Sequence, residues 1–144
     1  MFATKVKYED FNGNQCEETL CFYLNEAEIP TIKMFSDVEG IEELRKRIVA
    51  GKPTTDDVNV MMETIKELIL KSYGEKSEDG KHFRKTAQIR EDFEQSAAFP
   101  ALFMEIYNDP TGTKVNEFIQ GVMPKSLMAK IDANELAALT TISK

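Results

Sequence analysis

The most regular pattern of apolar and polar positions in the chain lies in residues 55–73. Its apolar side chains recur every three or four positions, the spacing that places them on one face of an α-helix. They are Val58, Met61, Met62, Ile65, Leu68 and Ile69. Thr54 has the spacing of an N-cap with Asp57 as its reciprocal partner, and Gly74 suits a helix end with positive φ. The pattern therefore predicts a helix of about five turns.

Apolar and polar residues alternate at the beginning of the chain. Two segments, 2–11 and 15–24, alternate apolar with polar residues, as half-buried strands do. Between them stands Asn12-Gly13, the preferred pair for a two-residue hairpin turn, in which both central residues take positive φ. The pattern predicts a β-hairpin over 2–24. Because a two-stranded ribbon is marginal alone, its apolar face is expected to rest on helices or on another subunit.

Several shorter patterns with helical spacing predict the remaining elements. We predict a short helix or turn over 26–34, a helix over 40–50 and a further helix that Thr86 caps. Two more helices are predicted, for residues 101–108 and for the segment that begins near Thr113.

Together these elements predict a mainly α-helical domain of five to seven helices preceded by one N-terminal β-hairpin, which is α+β by strict count. A chain of 144 residues fits a single domain with a core of its own. We assign that domain to residues 1–124, with the hairpin in 2–24 and the helical body in 26–124. For the C-terminal tail, residues 125–144, one more helix and a mobile segment both remain open.

The charge and hydropathy of the chain limit which kinds of partner are expected. Acidic residues outnumber basic ones by 25 to 18, a formal charge of −7, which disfavours binding to nucleic-acid phosphates. The sequence has no apolar run near the roughly 18 residues of a membrane span. Its N-terminus lacks the apolar core of a signal peptide. We therefore expect a cytoplasmic protein with neither a nucleic-acid nor a membrane partner.

Candidate chemistry is sparse. The single histidine, His82, stands among charged residues and is expected at the surface. Cys16 and Cys21 are an odd number of positions apart, so a regular strand would point them to opposite faces. They are predicted to be free thiols rather than a disulfide or a shared metal site. Because catalysis needs convergent groups of matched pKa, we expect no enzyme, no metal site and no cofactor.

The segment after the long helix carries more specific information. Its residues are Ser72, Tyr73, Gly74, Glu75, Lys76, Ser77, Glu78, Asp79, Gly80 and Lys81. Taken alone, such mixed charge is typical of a solvated connection, and a docking handle for a partner protein is the alternative. Together with Phe83 and Lys85, the segment resembles the signature loop of a family of tail assembly chaperones from long-tailed bacteriophages and prophages. The hairpin turn at 8–14 and the stretches 89–95 and 103–106 fit the same family.

The resemblance implies a protein that assists tail assembly and is absent from the mature virion. It implies binding to the long, apolar, helical tape measure protein, which is kept soluble and delivered to tail tube subunits in the host bacterial cytoplasm. Apolar stripes of the tape measure protein are expected in a groove between the 55–73 helix and the helices after Pro100. The residues expected there are Met61, Met62, Ile65, Phe103, Met104 and Phe118. Methionines adapt to varied apolar surfaces, but an ordinary core role is the alternative.

Two other classes of function stay open. A structural tail-tube or connector component could use the hairpin to extend a neighbour's sheet. An acidic adaptor for a host protein is permitted by the charge of −7. Self-association is also expected to be possible, through the hairpin edge and the methionine-bearing faces.

Overall fold

The computed structural model describes residues 1–109 and 112–124, so the tail predicted over 125–144 lies outside the described residues. The strands are β1 (Phe2–Glu9), β2 (Gln15–Phe22), β3 (Tyr73–Lys76) and β4 (Phe83–Arg84). The helices are α1 (Lys33–Ser36), α2 (Val38–Val49), α3 (Thr55–Ser72), α4 (Ala87–Glu94), α5 (Ala98–Tyr107) and α6 (Thr113–Val122), with a 3-10 turn at Ile29–Thr31. No helix among the described residues is both long and apolar enough to cross a membrane.

The predicted hairpin is confirmed, but it is half of a larger sheet. All four strands join one antiparallel sheet in the order β1-β2-β3-β4. The prediction of a mainly α-helical domain with five to seven helices is therefore wrong. Within the described ranges, only four helices, α2, α3, α5 and α6, reach ten residues, and the architecture is α+β. The reason is that β3 and β4 are short and charged, so they give no period-two signal.

The turn between β1 and β2 is longer than predicted. Gly13 N donates to Asp10 O at 3.0 Å, and Asp10 N donates to Asn14 O at 2.9 Å. Gly13 has φ +84°, whereas no residue other than glycine has positive φ in the described chain. The prediction of a two-residue turn with positive φ at both central positions is therefore wrong. The Asp10 carboxylate instead accepts the amides of Asn12 and Asn14, each at 2.9 Å, and so shapes the wider turn.

The predicted start of α3 is confirmed. Asp57 N donates to Thr54 Oγ1 at 3.1 Å, and Thr54 N donates to Asp57 Oδ2 at 2.9 Å, which completes a capping box. Arg47 Nε on α2 donates to Asp57 Oδ1 at 2.8 Å. The hydrogen bond from the Thr54 amide, followed by that from Arg47, holds the pKa of the Asp57 carboxyl below its ordinary value. Asp57 therefore both caps α3 and ties it to α2.

We expect the contribution of Asp57 to stability to disappear in acid. Because its pKa is lower in the folded than in the unfolded protein, the carboxylate stabilises the fold above its unfolded pKa. This stabilisation is lost as the pH falls through the folded pKa. Asp57→Asn, which keeps an oxygen acceptor but no charge, should be less stable than the wild type at about pH 7, and the difference should shrink as the pH is lowered to about 3. Urea denaturation at both pH values measures this, and an unchanged difference between the two proteins would contradict it.

The end of α3 differs from the prediction. Gly74 does not take positive φ; the residue before it, Tyr73, caps α3 in an extended conformation, and the chain enters β3 directly. Gly74 is required for another reason. A Cβ at Gly74 would lie 2.5 Å from Phe83 Cε2 and 2.8 Å from Arg84 O, so the close approach of β3 and β4 excludes a side chain there.

We expect Gly74→Ala to destabilise the fold by about 1–3 kcal/mol, the usual effect of overpacking. At Gly80 in the turn, an added Cβ would meet nothing within 4 Å, and only the positive φ of +75° opposes alanine. Gly80→Ala should therefore cost less, about 1 kcal/mol. Thermal or urea denaturation compares the two variants. If Gly74→Ala lost no more stability than Gly80→Ala, the lack of space around Gly74 would not be the reason for glycine there.

The core lies between one face of the sheet and helices α3 to α6. Phe22 on β2 is fully buried at its centre. Its ring lies 4.9 Å from that of Phe118, 5.6 Å from that of Tyr73 and 6.1 Å from that of Phe93, in each case edge to face. This aromatic cluster joins β2 to β3, α4 and α6, and it fixes the helical layer against the sheet.

Candidate functional site

An apolar groove runs between α3 and α5. It has a volume of about 250 Å³ and is the surface that we call the α3–α5 groove. Its lining residues are Met62, Glu63, Lys66, Phe99, Pro100, Phe103 and Met104. Met104 is 45% exposed and Met62 is half-buried, whereas Phe99 and Phe103 are each 9% exposed and form the floor. The groove thus offers accessible thioether side chains above a rigid aromatic base.

Aromatic stacking fixes that base. The ring of Phe103 stacks on that of Tyr107 at 5.8 Å and lies 6.2 Å from that of Phe99. Phe99 in turn packs edge to face on Phe93 of α4 at 5.5 Å. The floor of the groove is therefore continuous with the core, and only the two methionines remain free to adapt to a ligand.

Sequence reasoning missed Phe99, because the helix was predicted to begin only at residue 101. In the structure α5 begins at Ala98, and Pro100 occupies its first turn, where the missing N–H costs no helical hydrogen bond. The sequence does contain a signal that places Phe99 on this helix. Phe99 and Phe103 are four residues apart, the spacing of neighbours on one helix face.

The predicted binding residues fall into two groups. Met62, Phe103 and Met104 line the groove together, as their spacing on two helices suggested. Ile65 and Phe118 are each 1% exposed and face the interior between α3, α5 and α6. Met61 is partly buried and packs against the core. A ligand on the groove would therefore touch only the first group.

Charged residues border the groove on one side. Lys66 Nζ on α3 lies 3.3 Å from Glu94 Oε2 on α4, and both side chains are about 40% exposed. Glu63 is exposed one turn away on α3. An apolar floor with a charged, water-accessible rim is the usual arrangement of a surface that binds another protein reversibly.

The segment 72–81, predicted as a solvated connection or a docking handle, is partly built into the sheet. Ser72 ends α3, and β3 pairs with both β2 and β4. The exposed tip is held by Asp79 Oδ1, which accepts from Ser77 Oγ at 2.6 Å and from Lys81 N at 3.0 Å. His82 is exposed beside this tip, as predicted. None of these residues lines the α3–α5 groove.

Lys85, four residues after this segment, links three parts of the fold. Its half-buried ammonium donates to Tyr23 O at 2.9 Å and to Lys71 O at 3.3 Å, and it pairs with the Glu28 carboxylate. Burial lowers the pKa of Lys85, and the pairing with Glu28 opposes that shift. Lys85 thereby joins the ends of β2 and α3 to the turn before α1. These contacts give Lys85 a structural role. Its position after the loop is therefore no evidence for a binding site there.

The other candidate chemistry on the described residues gives no competing site. Cys16 and Cys21 are free, half-buried thiols, as predicted. Within residues 1–109 and 112–124, no three His, Cys, Asp or Glu side chains converge as metal ligands would.

A family model described as phage tail assembly chaperone matches residues 1–143 of the chain. The match therefore covers both faces of the groove, the segment 72–81 and nearly all of the tail. No curated protein and no solved structure matches the chain.

Proposed function

Because the chain belongs to the phage tail assembly chaperone family, we propose that it binds the tape measure protein, keeps it soluble and helps to recruit tail tube subunits around it. The proposed activity is binding rather than catalysis. The proposed place of action is the host bacterial cytoplasm, before the tail is complete.

The α3–α5 groove is the observation that carries this proposal. A long apolar helix in water needs its exposed stripe covered, and a groove between two helices accepts side chains at positions i, i+3, i+4 and i+7. Met62 and Met104 are unbranched and can fit side chains of different shapes. One groove could therefore serve many similar but unequal stretches of a tape measure protein.

The modest size of the groove fits a chaperone that must be displaced. A groove of about 250 Å³ with a charged, water-accessible rim is compatible with modest affinity of each copy. Many copies along one tape measure protein would together cover it, and tube subunits could replace them one at a time. The formal charge of −7 on each copy would keep the covered complex dispersed.

Co-expression with the tape measure protein of the same phage or prophage tests this function. We expect soluble tape measure protein only when this chain is present, and a complex that survives purification. Tape measure protein that stays equally insoluble with and without the chain would contradict the proposal. Recovery of the chain from purified phage particles would favour a structural tail component instead.

A further inference from the structure

The far end of the β1–β2 hairpin lies outside the core. No residue in the range 7–19 is buried, whereas Val6 and Leu20, on either side of this range, belong to the core. We call residues 7–19 the hairpin arm. Its shape is fixed by the pairing of its two strands and by its turn, and its side chains add little to the packing of the helices.

Phe11, in the turn of the hairpin arm, is an apolar residue at a position where turns usually carry Asn, Asp, Gly or Ser. Three large apolar side chains are exposed in the described part of the chain, Met1, Phe11 and Met104, and Phe11 is the most exposed of them at 85%. The ring therefore gains almost nothing from packing within the chain. Burying it against another protein would contribute about 1.5–3 kcal/mol.

The backbone on both sides of Phe11 is held in place. Asp10 N donates to Asn14 O at 2.9 Å, and the Asp10 carboxylate accepts the amides of Asn12 and Asn14. These hydrogen bonds, first that from the Asn14 amide, hold the pKa of Asp10 below its ordinary value, because they favour the ionised carboxylate. Phe11 is thus presented from a fixed turn, which reduces the entropy lost when a partner covers it.

The hairpin arm has a local excess of negative charge. Its charged side chains are four carboxylates, Glu9, Asp10, Glu17 and Glu18, and one ammonium group, Lys7. The arm therefore accounts for a formal charge of −3 out of −7 for the whole chain. Lys7 Nζ lies 3.9 Å from Glu17 Oε2 and offsets only one of the four carboxylates.

Neighbouring elements do not neutralise this excess. Lys5 and Lys114 lie near the base of the arm, in a concavity that Glu105 and Asp109 also line. Lys114 Nζ is 3.1 Å from Glu105 Oε1. Since two lysines face two carboxylates there, the negative charge of the arm remains available to a partner.

We infer that the hairpin arm binds the tail tube subunit, with Phe11 as the anchor. This inference rests on the proposed function and assigns its second partner to a surface. The tube subunit must then offer an apolar pocket for one phenyl ring, with Lys or Arg side chains at its border. A buried aromatic anchor surrounded by complementary charges is a common arrangement in protein interfaces.

The position and charge of the arm favour this partner over two others. Its residues do not line the α3–α5 groove, so the groove can hold the tape measure protein while the arm holds a second protein. A second copy of the chain fits poorly, because it also carries −7. The border of its groove has Glu63 and Glu94 against Lys66, which would repel an acidic arm.

The variant Phe11→Ala tests the anchor. Biolayer interferometry on the immobilised full chain measures binding of the tail tube subunit and, separately, of the tape measure protein of the same phage or prophage. We expect about tenfold weaker binding of the tube subunit, and binding of the tape measure protein within about twofold of the wild type. Because Phe11 is 85% exposed, the variant should stay folded, which circular dichroism checks.

The double variant Glu9→Gln, Glu17→Gln tests the charge of the arm. We expect association with the tube subunit to be about threefold to tenfold slower at low salt and nearly unchanged at high salt. The matched control, Glu39→Gln, Glu91→Gln, removes the same charge from exposed positions on α2 and α4 and should associate within about twofold of the wild type. Equal losses in the two double variants would show an effect of net charge alone and would overturn the inference.

The remaining outcomes separate this inference from the proposed function. If Phe11→Ala binds the tube subunit as the wild type does, the arm is rejected and the proposed function stands. If the wild type binds the tape measure protein but no tube subunit, tube recruitment is rejected together with the inference. Equal weakening of both partners by Phe11→Ala would overturn the assignment of a separate surface. Unchanged tube binding together with a changed oligomeric state would assign the arm to a second copy of the chain.

Discussion

Replacing Met104 with glutamate is expected to weaken binding of the tape measure protein by about 30-fold or more, which corresponds to about 2 kcal/mol. Met104 is 45% exposed, so the folded protein tolerates a carboxylate there in water. Once a partner helix covers the site, the same carboxylate is desolvated beside Met62, Phe99 and Phe103. The cost therefore falls on the complex and not on the fold. Affinity and thermal stability, measured on the same samples, separate the two.

Phe11→Glu is the matched control for this variant. Phe11 is 85% exposed in the β1–β2 turn and does not line the groove, so the variant loses an exposed apolar side chain and gains one negative charge elsewhere. We expect it to bind as the wild type does. A Met104→Glu protein that keeps full affinity, or a Phe11→Glu protein that loses as much, would show that the groove is not the binding surface.

The largest effect on stability is expected from Phe22→Ala, about 3–5 kcal/mol. Phe22 is fully buried and is in ring contact with Tyr73, Phe93 and Phe118. Removing the ring leaves a cavity between the sheet and two helices and also removes three edge-to-face contacts. Urea denaturation measures the loss. Phe22→Leu, which refills most of the volume, should lose less, about 1–1.5 kcal/mol.

Phe11→Ala provides the comparison for the same residue type. Because Phe11 is 85% exposed, its truncation should change the free energy of unfolding by less than about 0.5 kcal/mol. If Phe22→Ala and Phe11→Ala unfolded at similar urea concentrations, Phe22 would not be at the centre of the core.

Elements with local signals were predictable from the sequence, whereas β3 and β4 were not. The cap at Thr54 and the stripe of α3 depend on neighbouring residues, and so does the alternation in β1 and β2. β3 begins at Tyr73, directly after α3, and only its pairing with the distant β2 makes it a strand. Asp79-Gly80 is a hairpin signal, but the charged residues around it favoured a loop.

The candidate site was predictable only in part. Spacing placed Met62 on one helix face, and Phe103 and Met104 together on a second helix. It could not separate these from Ile65 and Phe118, because a periodic stripe includes both core and accessible positions and only the packing of α6 decides which are covered.

Site-specific photocrosslinking from position 104 tests the central claim most directly. Benzoylphenylalanine replaces Met104 in one protein and Phe11 in another, and each is irradiated with the tape measure protein in cells that assemble tails. The account predicts a covalent adduct from position 104 that contains an apolar helical segment of the tape measure protein, and no adduct to that protein from position 11. Adducts to that protein from position 11 alone, or from position 104 only to other proteins, would contradict it.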